Sequence, residues 1–455
     1  MENSGLDLGP IHKAYEYSSP YQKIGKVHSN NGMVYEVNLS RAVIGANVEF
    51  VTEFGERSFG EVVAINGNRC MAMPYDEISG INSETRVFLK DLTTNISISK
   101  KLLGRVVDFQ CRPIDGKGPI EEDDGDEIRS IFGTAINPLD RPPITESLDT
   151  GIHSINCFMT SGKGQRLAIM AGSGVGKSVT MGMIAKNTNA DINVIALIGE
   201  RGREVLEFIE NDLGPEGLSR TVVIVATSDQ SPLIRIKAAY TATTIAEYFR
   251  DQSADVMLMM DSITRFAMAY REISLNAGEP PGQKGYTPGV FARLPKLMER
   301  AGTKRNAGTI TGFYTVLVEG GDMDEPIADA VRAIADGHIV LSRELAAKNQ
   351  FPAIDVLQSI SRVMNKVVTR EHRIVAGHLR DLMASYKDNE DLINVGAYAK
   401  GSNVKVDKAL AIYDDLMSLL KQEQGMSEHF LIEDLYDRMV ELARHAENVV
   451  NPPAE

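Results

Sequence analysis

The segment Ala171-Gly-Ser-Gly-Val-Gly-Lys-Ser178 sets three glycines ahead of a lysine and a hydroxyl. This is the spacing of a phosphate-binding loop, G-x-x-x-x-G-K-[ST]. Gly172, Gly174 and Gly176 let the backbone N–H groups of Gly172, Ser173, Gly174, Val175 and Gly176 turn inward around phosphate oxygens, with no Cβ in the way. The pattern's first position carries Ala171, small enough to leave the loop open. Lys177 would bridge the β- and γ-phosphates of ATP, and the Ser178 hydroxyl would ligate Mg2+. The plain alternative is a glycine-rich turn that only starts a helix. An apolar strand over Arg166–Met170 and a helical segment over Val179–Lys186 supply the strand–loop–helix setting that favours the phosphate site.

A second acid-bearing strand, Val256-Met-Leu-Met-Met-Asp261, would place Asp261 to hold Mg2+ through water. On its own, an acid closing a strand serves equally well as the cap of the next helix; with the glycine loop in the same chain, the metal role is the better reading. Ser262 follows Asp261, so a carboxylate that activates water has to come from elsewhere. Glu200, in Gly199-Glu-Arg-Gly-Arg-Glu204, is the candidate, because it caps the strand Val194–Ile198. A carboxylate at the C-terminal edge of a parallel sheet faces the ligand crevice. Taken alone, the same run would be a solvated charged loop.

These residues need a sheet to hold them. Apolar runs at Leu167–Met170, Val194–Ile198, Val222–Val225, Val256–Met260 and Thr309–Val316 alternate with helical segments between about Gly151 and Ser361. That alternation predicts a mostly parallel sheet covered by helices. Before it, residues 23–97 read as five or six short strands, with Asn31-Gly32 and Asn66-Gly67 as hairpin turns. A small closed barrel would remove their exposed edges. Residues 98–372 would form the P-loop domain and 373–455 a helical domain, with Val406, Leu410, Tyr413, Met417 and Leu420 on one apolar face and a second amphipathic segment from about Glu428 to Glu447. Pro113–Asp126 reads as a surface loop, and residues 1–22 as a polar, flexible tail. The expected class is therefore α/β, with a RecA-like parallel-sheet core, an N-terminal β-barrel and C-terminal helices.

The chain has 455 residues, 43% of them hydrophobic and 24% charged, the composition of a soluble globular protein with room for about three domains. A formal net charge of −14 argues against a protein that coats nucleic acid. No tryptophan is present, so an aromatic stacking platform for single strands is poorly supported. Cys70, Cys111 and Cys157 lie too far apart to suggest a zinc site or a disulfide framework, which fits a reducing cytoplasm. No apolar run reaches the length of a membrane span, and the first residues lack the pattern of a signal peptide.

Further segments carry a resemblance: GRVVDFQCRPIDGKGP (Gly104–Pro119), LDTGIHSIN (Leu148–Asn156), GERGREV, MMDSITRFA (Met259–Ala267), GYTPGVFARLPKLMERAG (Gly285–Gly302), DGHIVLSREL (Asp336–Leu345) and FPAIDVLQSISRV (Phe351–Val363). Together with the glycine loop they resemble the rotary-ATPase superfamily of the ATP synthase α and β subunits. Within it the chain is most similar to the flagellar protein-export ATPases and the related type III secretion ATPases, from about Tyr21 to the C-terminal helices. The last three segments point to this export branch.

The resemblance implies a Mg2+-dependent ATPase with Glu200 activating water, Arg201 and Arg265 near the γ-phosphate, Glu204 as a further acid around Mg2+ and Asp261 as the Walker B aspartate. It implies that Arg362 is an arginine finger supplied to a neighbouring subunit, and that Phe351 stacks on adenine, with Tyr398 a second, weaker candidate. Without the family, Phe351 before Pro352 reads as core and Arg362 as a surface arginine. In Gly320-Gly-Asp-Met-Asp-Glu-Pro326, Gly321 stands where many members carry aspartate.

One chain holding both Glu200 and Arg362 is consistent with a homohexamer active at every interface. The implied partners are a stator-like regulatory protein on the N-terminal tail, a coiled-coil stalk protein in the ring, export chaperones and substrates, and a membrane export gate. The implied place is the cytoplasmic face of the plasma membrane at the flagellar base, with no nucleic acid bound. The competing expectations are the same enzyme in an injectisome, a ring subunit that binds nucleotide without turnover, a rotary ATPase subunit, and a Rho-like RNA translocase.

Overall fold

The computed structural model describes residues 23–121, 123, 125–423 and 430–448. The tail expected over residues 1–22 lies outside them. The described residues divide into two compact units, one of residues 23–94 with Glu272–Glu279, the other of Asn95–Arg271 with the described residues from 280 onward.

In the smaller unit, six antiparallel strands close a barrel in the order Ile24–Asn31, Val34–Val37, Arg69–Pro74, Arg57–Asn66, Asn47–Val51, Arg86–Leu89. The two expected hairpins are present. Asn31 pairs with Val34 across Gly32-Met33, and Asn66 pairs with Arg69 across Gly67-Asn68. Gly32 and Gly67 adopt the positive φ that such turns require. The barrel interior is filled by Val27, Val37, Val48, Phe50, Val62, Ala72 and Val87, the inward residues of alternating strands. The strand Asn95–Ile98 pairs with Glu127–Ser130 and belongs to the larger unit, so the structural division falls at Thr94 and not at 97.

The larger unit is built on a nine-stranded sheet. Its spatial order is Ile360–Ser361, Gly337–Leu341, Arg166–Ala171, Thr309–Leu317, Asp255–Asp261, Ile192–Ile198, Thr221–Ala226, Val106–Val107, with Gly302–Thr303 beside Thr309–Leu317. All five expected strands lie in it, and all are parallel to their neighbours. Only Ile360–Ser361 and Gly302–Thr303 run antiparallel. The central strands are buried along nearly their whole length, as a sheet covered on both faces demands. After Arg166–Ala171 the chain crosses over two positions before laying down Ile192–Ile198. The C-terminal ends of Arg166–Ala171, Ile192–Ile198, Asp255–Asp261 and Thr309–Leu317 therefore open onto one crevice, where α/β sheets bind ligands.

Three long helices follow, Arg370–Asn394, Val404–Leu420 and Ile432–Asn448. Thr369 and Asn403 cap the first two through side-chain oxygens that accept from His372 N and Lys405 N. The apolar face of Val404–Leu420 differs from the expected one. Val406, Ala409, Ile412, Leu416, Leu419 and Leu420 are buried, whereas Leu410 is exposed and Tyr413 and Met417 are half-buried. The helix carries two adjacent apolar stripes, and the one containing Ala409 and Ile412 faces the core. Tyr413 covers the neighbouring helix by stacking on Tyr386, ring centroids 3.6 Å apart. All three cysteines are free. Among the described residues no helix is long and apolar enough to cross a membrane.

Candidate active site

The strand Arg166–Ala171 ends in the glycine loop, and the helix Lys177–Asn187 starts directly after it. Gly176, at φ 84°, makes the left-handed turn that feeds the helix. Below the loop lies a cleft of about 560 Å³. Gly172, Ser173, Gly174, Gly176, Lys177 and Ser178 line it. Ala171 and Val175 point the other way, each about 1% exposed, so these two expected contacts can act only through their backbone.

Across the cleft stand Glu200, Arg201, Glu204 and Arg265. Glu200 follows the end of the strand Ile192–Ile198. Gly199 is obligatory at this turn: its φ is +70°, and a Cβ there would meet the Arg265 side chain at 3.0 Å. Arg265 sits in the first turn of Ile263–Asn276, its backbone N–H bonded to Ser262 Oγ. Its buried Nε has no protein partner among the described residues. A guanidinium on the wall of a glycine-lined cleft fits an anion. Arg201 is largely exposed and pairs with Glu204 at 3.1 Å.

Lys177 ties the two sides together. Its Nζ lies 3.1 Å from Glu200 Oε1 and 2.6 Å from Asp261 Oδ1. Thr315 Oγ1 donates to the same Asp261 oxygen at 2.7 Å. The sheet order explains this: Thr309–Leu317 lies between the strands bearing the glycine loop and Asp261, so Thr315 comes up beside the carboxylate. Burial alone would favour a neutral amine, but Asp261 and Glu200 together hold the Lys177 ammonium above its ordinary value. Asp261 lies behind Lys177 and does not line the cleft itself.

The donor set suits Mg2+. Ser178 and Glu204 offer hard oxygens at the cleft, and among the described residues no group of three His, Cys, Asp or Glu could hold a metal unaided. Mg2+ keeps several waters and shares its remaining positions with phosphate, so it needs few protein ligands.

A second cavity of about 530 Å³ adjoins the first at Gly176 and Val179. Phe351 and Pro352 form one wall, Val179 and Met183 another, and Lys421, Gln422 and Glu423 close it. Phe351 is 41% exposed and lines this cavity, which leaves it open to a stacking partner. Tyr398 lines neither cavity; its hydroxyl bonds Asn403 O and Asp407 Oδ1 in the helical region. Arg362 does not reach the cleft of its own chain. It is exposed, just past the edge strand Ile360–Ser361, and donates to Ala335 O at 3.4 Å. Sequence reasoning passed over Thr315, Ser228 and the whole 421–423 wall. It also missed Arg343, whose guanidinium lies against Gly172.

Comparisons with known proteins give the family and the fold. Residues 27–88 match the β-barrel domain of the ATP synthase alpha/beta family, 151–361 its nucleotide-binding domain, and 368–441 the T3SS EscN ATPase C-terminal domain. The chain is 49% identical over 440 residues to the flagellum-specific ATP synthase of Bacillus subtilis, covering 95% of this chain and 98% of that one. It is 50% identical over 362 residues to the type 3 secretion system ATPase of Xanthomonas euvesicatoria, covering 80% and 81%. Its fold matches the assembled ATPase EscN of enteropathogenic E. coli with a TM-score of 0.86 at 41% identity, covering 92% of this chain and 99% of that one. EscN has also been solved in complex with its central stalk EscO. With its glycine loop, Lys177 and the export-type C-terminal region, the chain belongs to the type III secretion branch of the ATP synthase alpha/beta family of ATPases.

Proposed function

We propose that the protein hydrolyses MgATP to energise or prime protein export through a flagellar type III apparatus, releasing or unfolding substrates at the export gate. The observation that carries the chemistry is the Lys177 ammonium set between Glu200 and Asp261 at the foot of a glycine-lined cleft. Backbone N–H groups of residues 172–176 and Lys177 bind the phosphates, and Phe351 stacks on the base. Mg2+, held by Ser178 with Glu204 at the cleft and Asp261 acting from behind Lys177, would offset charge on the phosphate oxygens. Glu200 orients and deprotonates the attacking water. Arg201 and Arg265 stabilise the γ-phosphoryl group in the transition state. Arg362 completes the site of a neighbouring copy.

A homohexamer with a stalk protein in its centre is the assembly this reading requires; the assembled EscN and its EscO complex support it. A stator-like partner on the N-terminal tail, export chaperones and the membrane gate complete the proposal, with the protein at the cytoplasmic face of the flagellar base. At nearly equal identity, the match to the flagellum-specific relative spans 95% of this chain and that to the secretion ATPase 80%, which favours flagellar export. The Xanthomonas secretion ATPase and EscN support the second reading, an injectisome. The test has two readouts. Purified protein is assayed for phosphate release from MgATP, where no turnover ends the enzymatic reading. The chromosomal copy is then replaced by Glu200→Gln and secreted proteins are compared. Loss of flagellar subunits from the medium is expected, whereas loss of needle substrates alone would move the protein to the injectisome.

A further inference from the structure

The cavity beneath Phe351 is closed by residues lying far along the chain from the rest of the site. We infer that Gln422 is a positioning residue that holds Phe351 in place and so sets the affinity for the nucleoside part of the substrate; this rests on the reading of Phe351 as the base contact.

Gln422 follows the helix Val404–Leu420 and is 8% exposed. Its backbone N–H donates to Phe351 O at 2.8 Å. The next residue, Pro352, has no N–H to offer, so this bond is a backbone anchor at the aromatic. The side-chain amide faces the opposite way, into the start of the P-loop domain. Its Oε1 accepts from His153 N at 2.7 Å, and its Nε2 donates to Gly151 O at 2.9 Å. The helix His153–Phe158 receives no side-chain cap from Ile152, so Gln422 satisfies one of its free N–H groups from a distance. His153 Nδ1 and Leu419 O, 2.8 Å apart, reinforce the junction.

A buried primary amide with both ends bonded has a single orientation. That orientation fixes residue 422, and residue 422 fixes the carbonyl of Phe351. The ring then stands against the glycine loop, where a Cβ on Gly176 would lie 3.7 Å from it. Both polar ends of the side chain are engaged within the protein, so Gln422 acts on the nucleotide through Phe351 and does not read the base. A site assembled this way loses base affinity, and not phosphate affinity, when the amide is removed.

The experiment compares binding of MgATP with that of magnesium tripolyphosphate, which has the phosphates and no base, to full-length protein. Gln422→Ala should weaken ATP ~5–10-fold, the size of one or two lost hydrogen bonds, and leave tripolyphosphate within about twofold. KM for ATP should rise with kcat nearly unchanged. Gln422→Met keeps the length of the buried side chain and loses both of its hydrogen bonds without adding a charge, so it carries the same test if the alanine variant does not fold. Equal weakening of both ligands would mean a purely structural role and overturn the inference, as would no weakening. Phe351→Ala separates the two layers. If it lowers the ratio of ATP to tripolyphosphate affinity and Gln422→Ala does not, the Gln422 inference alone is lost. If neither lowers it, the base-contact reading is lost as well.

Discussion

The cleft under the glycine loop and the cavity beneath Phe351 share Gly176 and Val179 and have nearly equal volumes, about 560 and 530 Å³. Their walls differ. The phosphate side is lined with glycines and ionic side chains that are bonded to one another, Lys177 to Glu200 and Asp261, Arg201 to Glu204. The base side is lined by Val179, Met183, Phe351 and Pro352, and its outer wall comes from the helical region. Under the proposed function one half would work by directed charge in a partly buried setting, where each group is worth a large share of binding or rate. The other would work by shape and stacking, where single groups are worth far less. That proposal makes nucleotide identity and phosphoryl chemistry separable by substitution.

Substitutions can break or sharpen that contrast. Lys177→Ala should have the largest effect, abolishing both tight ATP binding and turnover. It also leaves Asp261 buried beside Glu200 without a counter-charge, so a lowered melting temperature should accompany the loss. Near-normal ATP affinity by titration would remove Lys177 from the phosphate half. Next comes Arg362→Ala, expected to bind ATP and turn it over ~10³–10⁵-fold more slowly. The parental rise of activity with protein concentration should vanish too. Parental turnover with the same concentration dependence would show the phosphate half to be complete within one chain. Glu200→Gln should retain ATP and lose ~10²–10⁴-fold in rate, the usual size of a general-base effect; hydrolysis at the parental rate sinks that role. The smallest effect belongs to the other half. Phe351→Ala should weaken ATP roughly tenfold, the worth of one base–aromatic stack, and leave the rate at saturation little changed. A fall in that rate comparable to the Glu200 variant would erase the distinction between the halves.

The two halves were also unequally legible in the sequence. The phosphate half is written in contiguous stretches, because a loop cradling phosphate must take glycine, lysine and hydroxyl in succession from one strand–helix turn. The strands that carry it are apolar runs because both faces of the sheet are covered. Thr315 gave no such signal. A threonine in a β-branched strand is ordinary, and only the order of strands puts it beside Asp261. Gln422 lies 269 residues from His153, with no pattern linking them. The choice between two apolar stripes on Val404–Leu420 was open for a similar reason: periodicity finds the stripes, and packing against the neighbouring helices selects one. The expected barrel bound at residue 97 cuts through Asn95–Ile98, because the partner of that strand, Glu127–Ser130, lies beyond a loop rich in glycine and acid.

The pairing of charges around Lys177 has an effect at long range. Lys177, Arg201 and Arg265 oppose Glu200, Glu204 and Asp261, three cations against three anions, and Arg343 beside Gly172 adds one more cation. From outside the cleft these charges nearly cancel, so an approaching triphosphate feels little pull. In the proposed site its affinity would come at contact, from aimed N–H groups and from the positive charge that Mg2+ and a neighbouring Arg362 would bring with them. Nucleotide binding should then depend only weakly on ionic strength, unlike that of a protein that gathers polyanions with a basic field. An acidic protein can in this way hold a highly charged ligand without gathering it from a distance.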